Sequence, residues 1–127
     1  ARIALDMKLG ALIVSNTTLE RPASLRSPQA AEAGGLSGDP IKPFARAALR
    51  AAAEAAAGRL PLIAVGGIDT GEEAFQRILA GASAVQVYSA LIYEGVGLVG
   101  RIKRDLAQRL RADGFTSVAE AAANRTL

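Results

Sequence analysis

Three short apolar runs set the strongest limit on how this chain can fold. They are ALIVSN at 11–16, PLIAVG at 61–66 and SAVQVYS at 83–89. Each run is too short for a helix, and each is too continuously apolar for a strand with one face in water. Because such runs are typical of strands covered on both faces, they predict a parallel sheet in an α/β protein.

Helical patterns fill the gaps between these runs. The segment 42–58 is rich in alanine and ends at Gly58, and glycine commonly follows the last turn of a helix. Thr70 and Glu73 match a capping box, which predicts a helix that ends at Gly81.

The segment 97–112 predicts an amphipathic surface helix, because apolar residues recur at four-residue spacing with basic residues between them. The apolar positions are Leu98, Ile102, Leu106 and Leu110, and the basic positions are Arg101, Lys103, Arg104, Arg109 and Arg111. We expect the basic residues to form a solvated face. Ser117 and Glu120 match a second capping box before a short final helix, and residues 6–9 predict the end of a first helix.

The order β-α-β-α-β-α is used by two architectures, the doubly wound sheet and the (β/α)₈ barrel. Three strands are too few for either, since such a barrel has about 250 residues and an isolated piece would expose two sheet edges. We therefore expect residues 1–127 to be one partial domain, the C-terminal part of a TIM (β/α)₈ barrel with about three β/α units. Residues 113–127 would form a C-terminal helical tail. The segment 17–40 lacks periodicity and follows a strand, which favours a functional loop.

Composition excludes several kinds of site. The sequence contains no cysteine and no histidine, which excludes a disulfide, a thiol nucleophile and a Ser-His-Asp triad within this chain and leaves us expecting no metal site. The net charge of +3 and the aromatic content of 4% are too small for a nucleic-acid surface. No apolar run approaches the roughly 18 residues that would cross a bilayer.

Small and polar residues at the predicted strand ends indicate an anion site. Gly66–Gly67 follows the second strand and Tyr88–Ser89 follows the third. The carboxyl ends of barrel strands carry the active site, and the last two loops often bind phosphate. Backbone N–H groups at a helix start can donate to a phosphate, and a serine hydroxyl adds a donor. A simple turn explains the glycine pair equally well, so both interpretations stay open.

Asn16 and Thr17, at the end of the first strand, favour a different role. The asparagine amide offers donors and an acceptor, which suits a carboxylate or an amide-like ring. The alternative is a local turn or a helix cap. The nearest carboxylates are Glu20 and Asp69, and we expect Asp69 to cap a helix rather than act as a base. Arg21 could place a cation near an anionic ligand, but we expect it to be a solvated cation.

Several linked motifs resemble the C-terminal half of the FMN-dependent dihydroorotate dehydrogenases, specifically the quinone-linked class 2 enzymes. The resemblance extends from Gly10 to about Gly114. The motifs are ALIVSNTTLERP, GGLSGDP and GRLPLIAVGGIDTGEEAFQRILAGASAVQVYSALIYEG, in that order. Soluble class 1 members usually carry Gly-Thr where this chain has Tyr88–Ser89, which favours class 2.

The resemblance implies a barrel that holds FMN at its mouth and oxidises dihydroorotate to orotate in pyrimidine synthesis, passing electrons to a membrane quinone. Asn16 and Thr17 would bind the orotate ring and its carboxylate. Contacts to FMN would come from Ser15, Gly38, Gly66, Gly67, Tyr88 and Ser89. Among these, Gly66–Gly67 and Tyr88–Ser89 would hold the FMN phosphate.

The resemblance also implies parts that this sequence does not contain. The family's serine base, a flavin-contacting lysine, and the N-terminal helices that meet the membrane and form the quinone tunnel have no counterpart in residues 1–127. We therefore expect no catalytic residue in this chain and no activity from the chain alone. The whole protein would be peripheral, on the cytoplasmic side of the bacterial inner membrane. Two alternatives are a phosphate-binding TIM-barrel enzyme of another class without flavin, and an inactive half-barrel remnant that self-associates.

Overall fold

The computed structural model describes residues 1–124, so the end of the tail predicted over 113–127 lies outside the described residues. Its helices and strands follow the predicted alternation. They are α1 (Arg2–Asp6), β1 (Leu12–Val14), α2 (Lys42–Ala56), β2 (Leu62–Ala64), α3 (Gly71–Leu79), β3 (Ala84–Val85), α4 (Ser89–Glu94), α5 (Gly97–Ala112) and α6 (Val118–Ala123). Two short 3-10 helices, Pro28–Ala31 and Asp39–Ile41, lie in the long segment before α2.

Within residues 1–124 the strands form one parallel sheet in the order β1-β2-β3. Ile13 of β1 pairs in register with Ile63 of β2, and Ile63 pairs with Ala84 of β3. This cross-strand row lies on one face of the sheet, and Ile13 is 54% exposed. A barrel interior would normally cover such a row. The predicted fold, an incomplete part of an α/β barrel, is therefore confirmed.

The opposite side of the sheet is covered by helices. Leu49 of α2, Leu62 of β2 and Ile78 of α3 are almost completely buried in one apolar core. Helix α5 packs on α3 through its predicted apolar stripe, while the predicted basic positions are exposed. The helices approach closely at Gly71, where a Cβ atom would collide with Asp105 of α5. The solvated face predicted for α5 is confirmed.

Both predicted capping boxes are half formed. The hydroxyl of Thr70 accepts from the N–H of Glu73, and Ser117 accepts in the same way from Glu120, each at 3.1 Å. The second half of each box, in which the glutamate carboxylate accepts from the N–H of the capping residue, is wrong. Each carboxylate accepts hydrogen bonds from other donors instead. Glu120 accepts from the hydroxyl and N–H of Thr116 at 2.7 Å, and these hydrogen bonds lower its pKa.

The first helix ends at Asp6, at the start of the range 6–9 predicted for its end. The long segment 17–40 is ordered by Arg21 instead of by an apolar pattern. Its guanidinium donates to the carbonyl oxygens of Ala30, Glu32 and Gly34 at 2.8–2.9 Å. Arg21 is exposed, as expected for a solvated cation, and its donors also tie this loop together.

Candidate functional site

A cavity of about 340 Å³ opens at the carboxyl ends of the three strands. This volume lies within the usual range for small-ligand sites. All eight residues predicted to contact substrate or cofactor line the cavity. They are Ser15, Asn16, Thr17, Gly38, Gly66, Gly67, Tyr88 and Ser89. The structure therefore brings the predicted residues together, while their individual roles stay predictions.

The glycine pair after β2 is required by the protein's own packing. Gly66 and Gly67 have φ of +109° and +72°, which residues with a Cβ atom rarely adopt. A Cβ on Gly67 would meet the Lys42 side chain and lie 2.9 Å from the Gly38 carbonyl oxygen. A Cβ on Gly66 would lie 3.0 Å from Ile41 and from Ala45. The space that these side chains would fill thus belongs to protein atoms, and only the backbone of the turn faces a ligand.

The loop before α2 is connected to the end of β3 by two serines. The hydroxyl oxygens of Ser37 and Ser89 lie 2.8 Å apart. Gly38 has φ of +81°, and a Cβ there would lie 3.4 Å from the Cβ of Ser89. Sequence reasoning missed Ser37, although it directly precedes Gly38 in the motif GGLSGDP. The contact places two hydroxyl groups and a glycine backbone at one side of the cavity.

Asn16 makes a short-range contact that partly supports the local-turn alternative. Its Oδ1 atom accepts from the N–H of Thr17 at 2.8 Å. Within residues 1–124 the side-chain nitrogen of Asn16 has no acceptor, so it stays available to a ligand. The Thr17 side chain packs against Gly35, where a Cβ would collide with it. The backbones of Thr18 and Leu36 pair next to this contact, which fixes Thr17 at the cavity edge.

A lysine bridges two carboxylates at the cavity. The Nζ atom of Lys42 lies 2.6 Å from Asp39 and 2.8 Å from Asp69. Burial opposes the charge of Lys42, but hydrogen bonds and attraction from both carboxylates outweigh it and raise its pKa. The predicted capping role of Asp69 is wrong, because Thr70 caps α3 and Asp69 pairs with Lys42. Sequence reasoning missed Lys42, whose partner is 27 positions away.

A second charged network lies under the glycine turn. Arg77 of α3 is only 1% exposed, and its Nε atom donates to Glu73 at 2.6 Å. Arg46 of α2 also pairs with Glu73. Burial raises the pKa of Glu73, but hydrogen bonds from the two arginines outweigh burial and hold it below the usual value. Sequence reasoning missed this ion pair. The signal that could have predicted it is a Glu and an Arg four positions apart on the apolar face of a helix.

The cavity is lined by neutral hydrogen-bond donors and by carboxylates that form ion pairs. Its ionisable lining residues within the described chain include Asp39, Asp69 and Glu94 but no lysine or arginine. Lys42 pairs with both aspartates, and Arg101 pairs with Glu94 at 2.6 Å. Each of these carboxylates is therefore engaged by a cation. Backbone N–H groups and hydroxyls can bind an anion or an amide-like ring here.

The described residues contain neither a cluster suited to a metal ion nor a helix suited to crossing a membrane. Residues 1–124 hold no cluster of three acidic, histidine or cysteine side chains that is suited to a metal ion. No helix in the same range is both long and apolar enough to cross a bilayer.

These features define a class of protein, an α/β-barrel protein with a ligand cavity at the carboxyl ends of its parallel strands. Residues 1–110 match the family model described as dihydroorotate dehydrogenase. The chain belongs to the dihydroorotate dehydrogenase family.

Individual relatives agree with this assignment. The chain is 61% identical over 121 residues to a dihydroorotate dehydrogenase (quinone) of Rhodospirillum rubrum, a match that covers 95% of this chain and 33% of that protein. It is 55% identical to the protein of the same name from Erythrobacter litoralis, covering 95% of this chain and 35% of that protein. The resemblance to the quinone-linked class is therefore confirmed. The chain spans about a third of the length of the curated relatives it matches.

Solved structures show the same fold. A ligand-free DHODH of Eimeria tenella superposes with a TM-score of 0.92 at 42% identity, covering 99% of this chain and 36% of that one. A DHODH of the same organism in complex with ferulenol gives a TM-score of 0.90 at 43% identity, covering 94% of this chain and 32% of that one. The three-stranded sheet of this chain therefore corresponds to part of a larger enzyme fold.

Proposed function

We propose that this chain is part of a quinone-linked dihydroorotate dehydrogenase that oxidises dihydroorotate to orotate in pyrimidine synthesis. One observation carries the proposal: all eight residues expected to contact flavin or substrate line one cavity in a member of this family. Flavin, when bound, accepts the two electrons that dihydroorotate loses, and a quinone would take them onward. The residues of this chain would bind and orient the two molecules.

The FMN phosphate would lie between the turn at Gly66–Gly67 and the segment Tyr88–Ser89. This part of the cavity offers backbone N–H groups and the Ser89 hydroxyl, and the two glycines bring no side chain of their own to it. Ser15 and Gly38 would contact other parts of the flavin from the adjacent strand end and loop. The residues present fit such a group, because an anion needs several neutral donors where no lysine or arginine lines the cavity.

Asn16 and Thr17 would bind the substrate. The free amide nitrogen of Asn16 can donate to the orotate ring or to its carboxylate, and the Thr17 hydroxyl can add a second donor. The contact with Gly35 would hold Thr17 in place. These neutral donors orient an anionic substrate without adding a charge that would compete with the phosphate site.

The proton acceptor would lie outside this chain. The carboxylates that line the cavity are engaged by cations, and none is placed as a free base. A serine on the part of the barrel that residues 1–127 do not contain would remove the proton. The elements that meet quinone and attach the protein peripherally to the cytoplasmic side of the bacterial inner membrane would also lie there.

The direct test is to purify the full-length protein and identify what it carries. We expect a yellow protein that releases FMN when denatured and reduces a soluble quinone only when dihydroorotate is added. A colourless protein that binds sugar phosphates would instead support the alternative of a phosphate-binding barrel enzyme without flavin. That alternative is favoured by the donor-rich turn alone, which fits any phosphate monoester.

A further inference from the structure

The buried network under the glycine turn makes a contact that packing does not explain. Besides its bond to Glu73, Arg77 donates from Nη2 to the carbonyl oxygen of Gly66 at 2.9 Å. The guanidinium is a rigid planar fork, so the Nε bond to Glu73 fixes the direction in which Nη2 points. The remaining nitrogen, Nη1, is buried without an acceptor in the described chain. The arginine is thus aimed at the turn rather than placed to satisfy all its donors.

The hydrogen bond from Arg77 to the Gly66 carbonyl oxygen also fixes the direction of the Gly67 N–H. The peptide bond between Gly66 and Gly67 is trans, so its carbonyl and its N–H point in opposite directions. The carbonyl points to the buried guanidinium, and Arg77 does not line the cavity. The N–H of Gly67 therefore points away from the core. Within residues 1–124 it has no protein acceptor, and both glycines line the cavity.

A glycine pair needs such an anchor. Without Cβ atoms, glycine reaches both positive and negative φ, so a Gly-Gly peptide can turn over at little steric cost. If the peptide between Gly66 and Gly67 turned over, a carbonyl oxygen would face the cavity in place of an N–H donor. That change would replace attraction for an anion with repulsion. A charged hydrogen bond to the carbonyl makes this change unfavourable.

We infer that Arg77 is a positioning residue that aims the Gly67 N–H at the FMN phosphate. This inference rests on the proposed function. Arg77 acts through the Gly66 carbonyl and does not touch the cofactor. Glu73 orients the guanidinium, and Arg46 holds Glu73 from the exposed side of the network.

The test compares FMN with riboflavin, which lacks only the phosphate. Flavin is removed from the full-length protein, and the dissociation constants of both flavins are measured for wild type, R77M and R109M. Arg109 is the matched control, because it pairs with Glu72 at 2.5 Å on the surface of α5 and lies away from the cavity. We expect R77M to weaken FMN binding about tenfold or more, as loss of a charge-assisted hydrogen bond implies, and to leave riboflavin binding within about twofold.

The control R109M should bind both flavins as wild type does. Equal weakening of FMN and riboflavin in R77M would mean that Arg77 only supports the fold, and it would overturn the inference. If R77M does not fold, R77K decides the question, because it keeps the buried cation but lacks the rigid fork. The preference for FMN over riboflavin should fall in R77K, and a wild-type preference in folded R77K would overturn the inference. A wild-type protein that binds neither flavin, or both equally, contradicts the proposed phosphate site instead.

Discussion

The Nζ atom of Lys42 lies 2.8 Å from the Asp69 carboxylate and connects the start of α2 to the loop that follows the glycine turn. The same ammonium lies 2.6 Å from Asp39, beside Gly38. One cation therefore joins two of the segments that form the cavity. Because Lys42 is largely buried and lies between two carboxylates, its removal would leave two like charges close together.

Replacing Lys42 with methionine should destabilise the protein and loosen the cofactor site. We expect a loss of about 1–3 kcal/mol, since a charged hydrogen-bonded group is removed and its two partners stay unpaired. Thermal unfolding of the full-length protein measures the effect. K103M makes the same change on the exposed face of α5 and should cost less than about 0.5 kcal/mol. Equal effects of K42M and K103M would contradict a structural role for this ion cluster.

Replacing Gly67 with alanine should release FMN. Residue 67 has φ of +72°, which strains any residue that carries a Cβ atom. The new Cβ atom would also clash with the Lys42 side chain and the Gly38 carbonyl oxygen. Gly114 offers a matched control, because its φ is +80° and nothing lies within 4 Å of a Cβ built there. G114A should cost about 1 kcal/mol of stability from backbone strain alone and should keep FMN. Flavin content per protein after gel filtration distinguishes the two variants, and full FMN retention in G67A would count against the proposed site.

Changing Asn16 should separate substrate binding from cofactor binding. N16A should keep FMN and lower kcat/KM for dihydroorotate by about ten- to a hundredfold, as loss of a hydrogen bond to a charged group implies. N16D keeps the acceptor for the Thr17 N–H but replaces the amide donor with a negative charge. Steady-state kinetics of both variants decides between the two roles of Asn16. Wild-type kinetics in N16D would show that Asn16 serves only the local turn.

The pKa of Glu73 predicts how stability depends on pH. This pKa is held below its usual value of 4.5, so the network contributes stability when the pH is above that value. The contribution is lost as the pH falls through the lowered pKa and the carboxyl group takes up a proton. The gap in melting temperature between wild type and E73Q should therefore narrow in acid. E54Q, at an exposed position of α2, is the control and should follow wild type at every pH. A gap for E73Q that stays constant in acid would contradict the assignment.

The strands, helices and most of the cavity lining were predictable from the sequence. Parallel strands bring their carboxyl ends to one edge, so Asn16, Gly66 and Ser89 meet there once the three apolar runs are recognised as strands. Glycine pairs and small residues at those ends mark the turns. The prediction succeeds where the signal is local or periodic.

The charged contacts were not predictable, because they join side chains from different elements. Lys42 and Asp69 are 27 positions apart, and Arg77 reaches the Gly66 carbonyl across 11. Arg21 orders the segment 17–40 through backbone carbonyls, which leaves no periodic trace in the sequence. For Asp69 the local pattern favours the wrong interpretation, because an acidic residue just before a helix often caps it.

The most direct test of the account is an anaerobic titration of the purified full-length protein with dihydroorotate, followed by visible absorbance and by assay of orotate. We expect the yellow colour of bound flavin to bleach, with one orotate formed for each flavin reduced, and to return when a quinone is added. A protein that carries no flavin, or whose flavin colour is unchanged by dihydroorotate, would contradict the account.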